Sequence, residues 1–149
     1  MELTIGANWP AAVIACAHEM QASRARMWSF EVKLELDRSN AREAFFQAVS
    51  NSSWANFGYL VTARIQGDGT LDELRVLGAL HGIGLIRLDT KNPSESEILV
   101  PARERPEVDW ASLARLAEAS TDVWKFVQAV ITSVSAKKPI KEDFDYRGD

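Results

Sequence analysis

The chain has 149 residues, a formal net charge of −4 and a hydrophobic fraction of 46%. This length is typical of one domain, and the balanced composition excludes wholesale disorder. A single cysteine excludes an intramolecular disulfide framework, and two histidines leave little for a histidine-based metal centre. The sequence has no long apolar run and no basic signal region, so we expect a cytoplasmic protein without a membrane span. The slight acidity disfavours a dedicated nucleic-acid coat protein but allows an enzyme with a small basic groove.

The first part of the chain predicts three strands. Residues 3–5 form a short edge strand, and the apolar run 11–17 after Pro10 is interpreted as a buried strand because it is short. Residues 18–26 then form a hairpin loop. The clearest strand is 27–36, where apolar and polar side chains alternate and therefore lie on opposite faces. The apolar set, expected in the core, is Trp28, Phe30, Val32, Leu34 and Leu36.

Helices and strands then alternate. Asn40 caps a helix of about 14 residues, with Glu43 placed to reach back, and a capping box begins at Thr70. The following elements are a strand at 59–65, a helix at 70–80, strands at 83–88 and 97–100, and amphipathic helices at 109–119 and 121–134. We therefore predict one α/β domain over 1–136, with a mixed central sheet of about five strands opened by a hairpin and helices on both faces. A charged, mobile tail at 137–149 completes the prediction.

Glu31 and Lys33 are the first candidate for chemistry. Strand alternation puts their side chains on one side of the strand, about 6.5 to 7 Å apart at the backbone, and away from Phe30. Such a pair suits metal-assisted phosphodiester hydrolysis. The carboxylate and the Val32 carbonyl between the two residues offer oxygens to Mg²⁺ or Mn²⁺, while the lysine orients or activates water. The pattern is common by chance, so a solvated polar strand face is the alternative.

Four further polar residues flank this pair in the sequence. Gln47 and Asn51 are one helical turn apart, so both could face a cleft beside Lys33 and contact a phosphate or a water. The alternative is ordinary helix surface or capping at the helix end. Arg38 and Arg42 could bind the DNA backbone, since arginine binds phosphate bidentately. A solvated face paired with neighbouring acids is the alternative for both.

Trp28 and Trp124 fit apolar faces, so we expect them in the core.

Two sequence runs resemble a known family. The runs WSFEVK, from Trp28 to Lys33, and QAVSNSSWAN, from Gln47 to Asn56 and followed by Gly-Tyr-Leu, resemble a bacterial family of restriction-endonuclease-like proteins, the PD-(D/E)XK fold. The likeness extends over residues 9–116, and its shorter matches are Glu73-Leu74, Gly82-Ile83-Gly84 and Pro101-Ala-Arg103. In that family the domain often follows a winged-helix domain. The resemblance thus implies DNA as a partner, together with an upstream winged-helix domain or a partner protein.

The resemblance also implies roles for individual residues. Glu31 would ligate Mg²⁺ together with the Val32 backbone carbonyl, Lys33 would steer the attacking water, and Gln47 would support both. The family pattern places an aspartate at the position of Ala11, where it holds the metal.

This sequence departs from the family in two places. Pro10 is followed by Ala11 rather than aspartate. Either cleavage is lost, or another acid such as Glu19 or Glu35 substitutes, or the alanine was introduced deliberately. The helix that usually begins the fold has no counterpart in residues 1–9, so the chain is a fragment, a partner supplies the cover, or the fold is trimmed.

We therefore expect a restriction-endonuclease-like DNA nuclease domain with Mg²⁺-dependent phosphodiester hydrolysis, inactive if the missing aspartate is essential. The alternative is a catalytically dead DNA-binding or protein-assembly module of the same fold. Such a module would use the C-terminal helix pair, whose apolar stripe could be core or a homodimer seam. The stripe consists of Val123, Trp124, Val127 and Val130.

Overall fold

The computed structural model describes residues 8–23 and 25–140. The strand predicted at 3–5 and most of the predicted tail, 141–149, lie outside these residues. The helices are α1 (Ala11–Ser23), α2 (Ala41–Asn51), α3 (Thr70–His81), α4 (Trp110–Ala119) and α5 (Thr121–Ser135). The strands are β1 (Trp28–Leu36), β2 (Phe57–Ile65), β3 (Gly84–Arg87) and β4 (Glu97–Val100), and a 3₁₀ turn covers Pro93–Glu95.

The described part of the chain divides into two compact units. Residues 27–108 contain all four strands together with α2 and α3, and we call them the sheet unit. The helices α1, α4 and α5 form the helical unit. In the helical unit Asp109 caps α4 by accepting the backbone N–H of Ser112 at 2.9 Å, and Ser120 caps α5 through Val123.

The sheet has the order β1-β2-β3-β4. The first three strands are parallel, with Trp28 opposite Phe57 and Leu36 opposite Ile65, and β4 is antiparallel to β3. The predicted α/β class and mixed sheet are therefore confirmed. The sheet has four strands among the described residues rather than about five.

The predicted hairpin is wrong because its first strand is a helix. Residues 11–17 begin α1, and the Pro10 carbonyl accepts the backbone N–H of Val13 at 2.9 Å in the first turn. Two sequence signals favour this outcome. Alanine is the strongest helix former, and proline is well placed at a helix start. The buried residues of α1 also recur at helical spacing, at Val13, Cys16, Ala17 and Met20.

Burial has a chemical consequence at Cys16, which is free and fully buried. Loss of solvent raises the pKa of its thiol to about 11, because the charged thiolate is disfavoured away from water. A thiol in this environment is a poor nucleophile at neutral pH.

The helices of the sheet unit pack on one face of the sheet, not on both. The core joins residues of both helices to the first three strands and consists of Leu36, Ala41, Ala44, Phe45, Ala48, Leu60, Leu74, Leu77, Ile83 and Leu85. The strand order explains this arrangement. When parallel strands keep their sequence order, crossovers of one hand put every connecting helix on the same side, and two covered faces require a reversal of strand order.

Up to Leu34 the two faces of β1 are exchanged relative to the prediction, whereas Leu36, at the end of the strand, is buried in the core as expected. Leu60 and Thr62, the β2 residues opposite Glu31 and Lys33, are 0% exposed, so the polar side of β1 is the helix-covered side. The apolar side is exposed, with values of 48% for Trp28, 54% for Phe30, 62% for Val32 and 67% for Leu34. The core placements of Trp28 and of Trp124, which is 45% exposed, are therefore wrong. Alternation separates two faces of a strand but does not tell which one is covered.

Asn56 ties the start of β1 to the segment that follows β4. Its side chain accepts the backbone N–H of Met27 at 2.9 Å and donates to the carbonyl of Arg105 at 3.0 Å. The backbone N–H of Arg105 donates back to the Asn56 carbonyl at 2.8 Å. Because Asn56 is only 5% exposed, water cannot easily replace these bonds.

We expect Asn56→Ala to lower the free energy of unfolding by about 2 kcal/mol, since it leaves a buried N–H and a carbonyl without partners. Asn92→Ala is the matched control, because Asn92 is exposed in the loop before the 3₁₀ turn and should change stability by less than about 0.5 kcal/mol. Urea denaturation of both variants measures the difference. Equal unfolding midpoints for the two variants would contradict this role of Asn56.

Candidate functional site

The candidate site combines Glu31 and Lys33 of β1 with Asn51 at the end of α2, and we call these three residues the Glu31 cluster. The Lys33 ammonium lies 2.9 Å from the Glu31 carboxylate. The Asn51 side-chain amide donates to the other carboxylate oxygen at 3.0 Å. Both oxygens of Glu31 are thus engaged by neighbouring side chains.

The local fold explains why these residues meet. The two-residue period of β1 puts Glu31 and Lys33 on its helix-covered side, and α2 runs back after the turn at residues 37–40. The last turn of α2 therefore lies beside the first half of β1. Ser29 holds it there, because its hydroxyl donates to the Asn51 carbonyl at 3.2 Å.

The environment of Glu31 stabilises its charged form. Its side chain is 18% exposed and that of Lys33 is 35% exposed. The hydrogen bond from Lys33 is the largest cause that lowers the pKa of the Glu31 carboxyl, and the Asn51 bond and the lysine charge add to it. Partial burial opposes this shift but does not outweigh it. Glu31 is therefore an anion at neutral pH and paired to a cation.

Gln47, predicted to support the site, has a different partner. It lies one turn before Asn51, and its amide nitrogen lies 3.5 Å from a carboxylate oxygen of Glu43. The structure thus brings Glu31, Lys33 and Asn51 together and places Gln47 beside Glu43 on the same stripe of α2. Whether these residues act on a substrate stays a prediction.

The two arginines predicted to bind DNA differ in their surroundings. Arg42 donates to a Glu73 carboxylate oxygen through Nε at 2.9 Å and Nη2 at 2.6 Å, so an acid of α3 already neutralises it. Arg38 is exposed in the turn before α2. Ala11, the position of the missing aspartate, begins α1 in the helical unit and is not on a strand paired with β1.

The carboxylates near the Glu31 cluster decide how well it suits a cation. Glu35 shares the face of Glu31 but binds Arg64 at 2.8 Å. Glu43 is eight residues before Asn51, which is about 12 Å along the helix axis. Glu19, the other proposed substitute, is in α1. Among residues 8–23 and 25–140, no group of three or more His, Cys, Asp or Glu side chains converges. A cation at Glu31 therefore has one carboxylate, to which the Asn51 amide nitrogen donates.

Sequence reasoning missed the contact between Ser29 and the end of α2. Ser29 is two residues before Glu31, so the strand period already places it on the same face. The spacing of four between Glu43 and Gln47 on α2 predicts their contact, which the structure shows.

Comparison of the chain with protein-family models, curated proteins and solved structures finds no significant match in any of the three. The resemblance of WSFEVK and QAVSNSSWAN to restriction-endonuclease-like proteins therefore stays a proposal. In the described segments, no helix has the length and apolarity needed to cross a membrane.

We expect Lys33→Met to raise the pKa of the Glu31 carboxyl toward its ordinary value of 4.5, because the main hydrogen-bond donor is removed. Carbon-detected NMR titration of the Glu31 carboxyl measures the shift. Lys125→Met, on the exposed surface of α5, is the control and should leave that pKa unchanged.

The lowered pKa of Glu31 also makes the stability of the fold depend on pH. Because the folded-state pKa of Glu31 is lowered, its contribution is complete above the unfolded value near 4.5 and is lost as the pH falls through the folded value. Wild type should therefore lose more stability than Lys33→Met on acidification below about pH 4.5. An unchanged Glu31 titration in Lys33→Met would refute the pairing.

Proposed function

We propose that the sheet unit is a restriction-endonuclease-like domain that hydrolyses DNA phosphodiester bonds with Mg²⁺ or Mn²⁺ and that works in the cytoplasm. The observation that carries the proposal is the Glu31 carboxylate held between the Lys33 ammonium and the Asn51 amide. An anion for a metal, a cation for a phosphate and a polar amide in one place are the groups that this chemistry needs.

The donor set fits a hard divalent cation only in part. The Glu31 carboxylate, the Val32 backbone carbonyl and the Asn51 side-chain oxygen are ligands of the type that Mg²⁺ prefers. One carboxylate leaves most coordination positions to water and to the DNA phosphate, so metal binding would depend on substrate. When bound, the metal would polarise the phosphodiester and lower the pKa of an attacking water.

The chain's own residues would position the substrate. Lys33 is one-third exposed, so its ammonium can turn from Glu31 toward a phosphate oxygen and stabilise the charge that develops there. Asn51 would keep the Glu31 carboxylate in place during that exchange. Arg38, exposed in the turn between β1 and α2, would contact the backbone farther along the DNA.

Nicking of supercoiled plasmid in Mg²⁺ or Mn²⁺ tests the proposal. We expect Glu31→Gln and Lys33→Met each to reduce the nicking rate by at least about 100-fold, because each removes a charge placed at the reacting phosphate. Glu97→Gln and Lys125→Met are the matched controls, since both residues are exposed and lie on β4 and α5. These controls should nick at the wild-type rate.

Two outcomes would contradict the nuclease proposal. One is the absence of nicking by the wild-type protein in both metals. The other is nicking that persists in Glu31→Gln, which would point to a contaminating nuclease.

A catalytically inactive DNA-binding or assembly module is the second candidate. The presence of Ala11 at the start of a helix and the single carboxylate in the Glu31 cluster favour it. A binding measurement with a DNA duplex, with and without Mn²⁺, separates the two candidates. DNA binding that is independent of Mn²⁺ and of Glu31, without cleavage, supports the inactive module.

A further inference from the structure

In the described part of the chain, the strand β1 is one edge of the sheet. It forms one end of the strand order, and in the part of the chain that the structure describes no strand pairs with its outer side. It is nine residues long, contains no proline and keeps a regular register with β2. Edge strands are usually short, bulged, broken by proline or marked by charged side chains, because an open edge recruits other strands, and of these devices β1 has only its charges.

The sequence of β1 is self-complementary around Val32. When two copies pair antiparallel with Val32 opposite Val32 of the second copy, Glu31 faces Lys33 of the second copy, and Lys33 faces its Glu31. On the other face Phe30 lies opposite Leu34 of the second copy. Charges meet opposite charges and apolar side chains meet apolar side chains at every central position.

Other registers lose this match. Shifting the pairing by two residues puts Glu31 opposite Glu31, or Lys33 opposite Lys33, of the second copy. In-register parallel pairing puts Glu31 opposite Glu31 and Lys33 opposite Lys33 of the second copy. A shift of one residue sets apolar side chains against charged ones. The charges on the covered side of β1 therefore select a single arrangement and reject the rest.

We propose that β1 pairs antiparallel with β1 of a second copy of this chain, which joins two four-stranded sheets into one of eight strands. The exposed apolar side chains support the same arrangement. Phe30, Val32 and Leu34 are more than half exposed in one chain, and they become cross-strand neighbours of their counterparts in the pair. The pairing also provides hydrogen-bond partners for the open backbone of the edge.

The pair brings the two candidate sites together. In this arrangement Glu31 and Lys33 alternate across the two strands. The two Glu31 residues are diagonal neighbours, with a backbone separation of about 7–8 Å. The second copy thus supplies a carboxylate near the one that a single chain offers. A role for this second carboxylate in metal binding rests on the proposed nuclease function, whereas the dimer itself does not.

Charge reversal tests the pairing without DNA or metal. In sedimentation velocity we expect the wild-type chain to dimerise, and Glu31→Lys and Lys33→Glu each to raise the dissociation constant at least about tenfold, because like charges then face each other twice. An equimolar mixture of the two variants should form a heterodimer, since every facing pair is again opposite in sign. Lys125→Glu is the matched control and should dimerise as wild type does.

A cross-link provides a second measurement that does not depend on the charged residues. Val32→Cys places a thiol opposite its own copy, where strand pairing gives a Cα separation within the range of a disulfide. Oxidation should link this variant into a covalent dimer. Ile98→Cys, 63% exposed on β4 at the far edge, should stay monomeric on a reducing-agent-free gel.

A wild-type chain that sediments as a monomer at about 100 μM would overturn the proposal. So would folded charge-reversal variants that fail to associate when mixed, or equal cross-linking of the Val32→Cys and Ile98→Cys variants. If the wild-type chain dimerises but does not nick DNA, the pairing stands and only the proposed nuclease function is refuted.

Discussion

The ion pair between Glu31 and Lys33 allows the polar side of β1 to lie against the helix layer. Charged groups next to a helix layer are costly unless they are paired and hydrogen-bonded, and the two residues meet that condition together with Asn51. Because the polar side of β1 can face α2, its apolar side is left outward. The exposed aromatic stacks of Trp28 on Phe57 and Phe30 on Tyr59 follow from this choice.

Local signals predicted several elements well. The alternation of β1 and the glycine at position 82, which has a left-handed φ of 73°, correspond to real elements. The helix α3 begins at Thr70 as predicted, but no capping box forms there, because the Thr70 hydroxyl donates to the Gln66 carbonyl at 2.8 Å. The failures came from competition between signals. In residues 11–17 a short apolar run suggested a strand, whereas alanine content and the spacing of Val13, Cys16 and Ala17 favoured the helix that forms.

The neighbours of Glu31 could be predicted from the sequence only where they belong to the same element or to the next one. Spacing within one element placed Glu31 beside Lys33, and the turn back along α2 brought Asn51 to them. Partners from other elements could not be read from spacing. Arg42 meets Glu73 of α3, and Glu35 meets Arg64 of β2, because the packing of separate elements decides those contacts. Which face of β1 is covered depends equally on strand order, which no local pattern encodes.

The buried thiol of Cys16 offers a consequence for the helical unit. With a pKa of about 11, only about one molecule in 10⁴ carries the thiolate at pH 7, so alkylating reagents should act on it very slowly in the native state. Modification then requires α1 to detach and admit solvent. The rate of labelling at Cys16 therefore reports how often that helix opens.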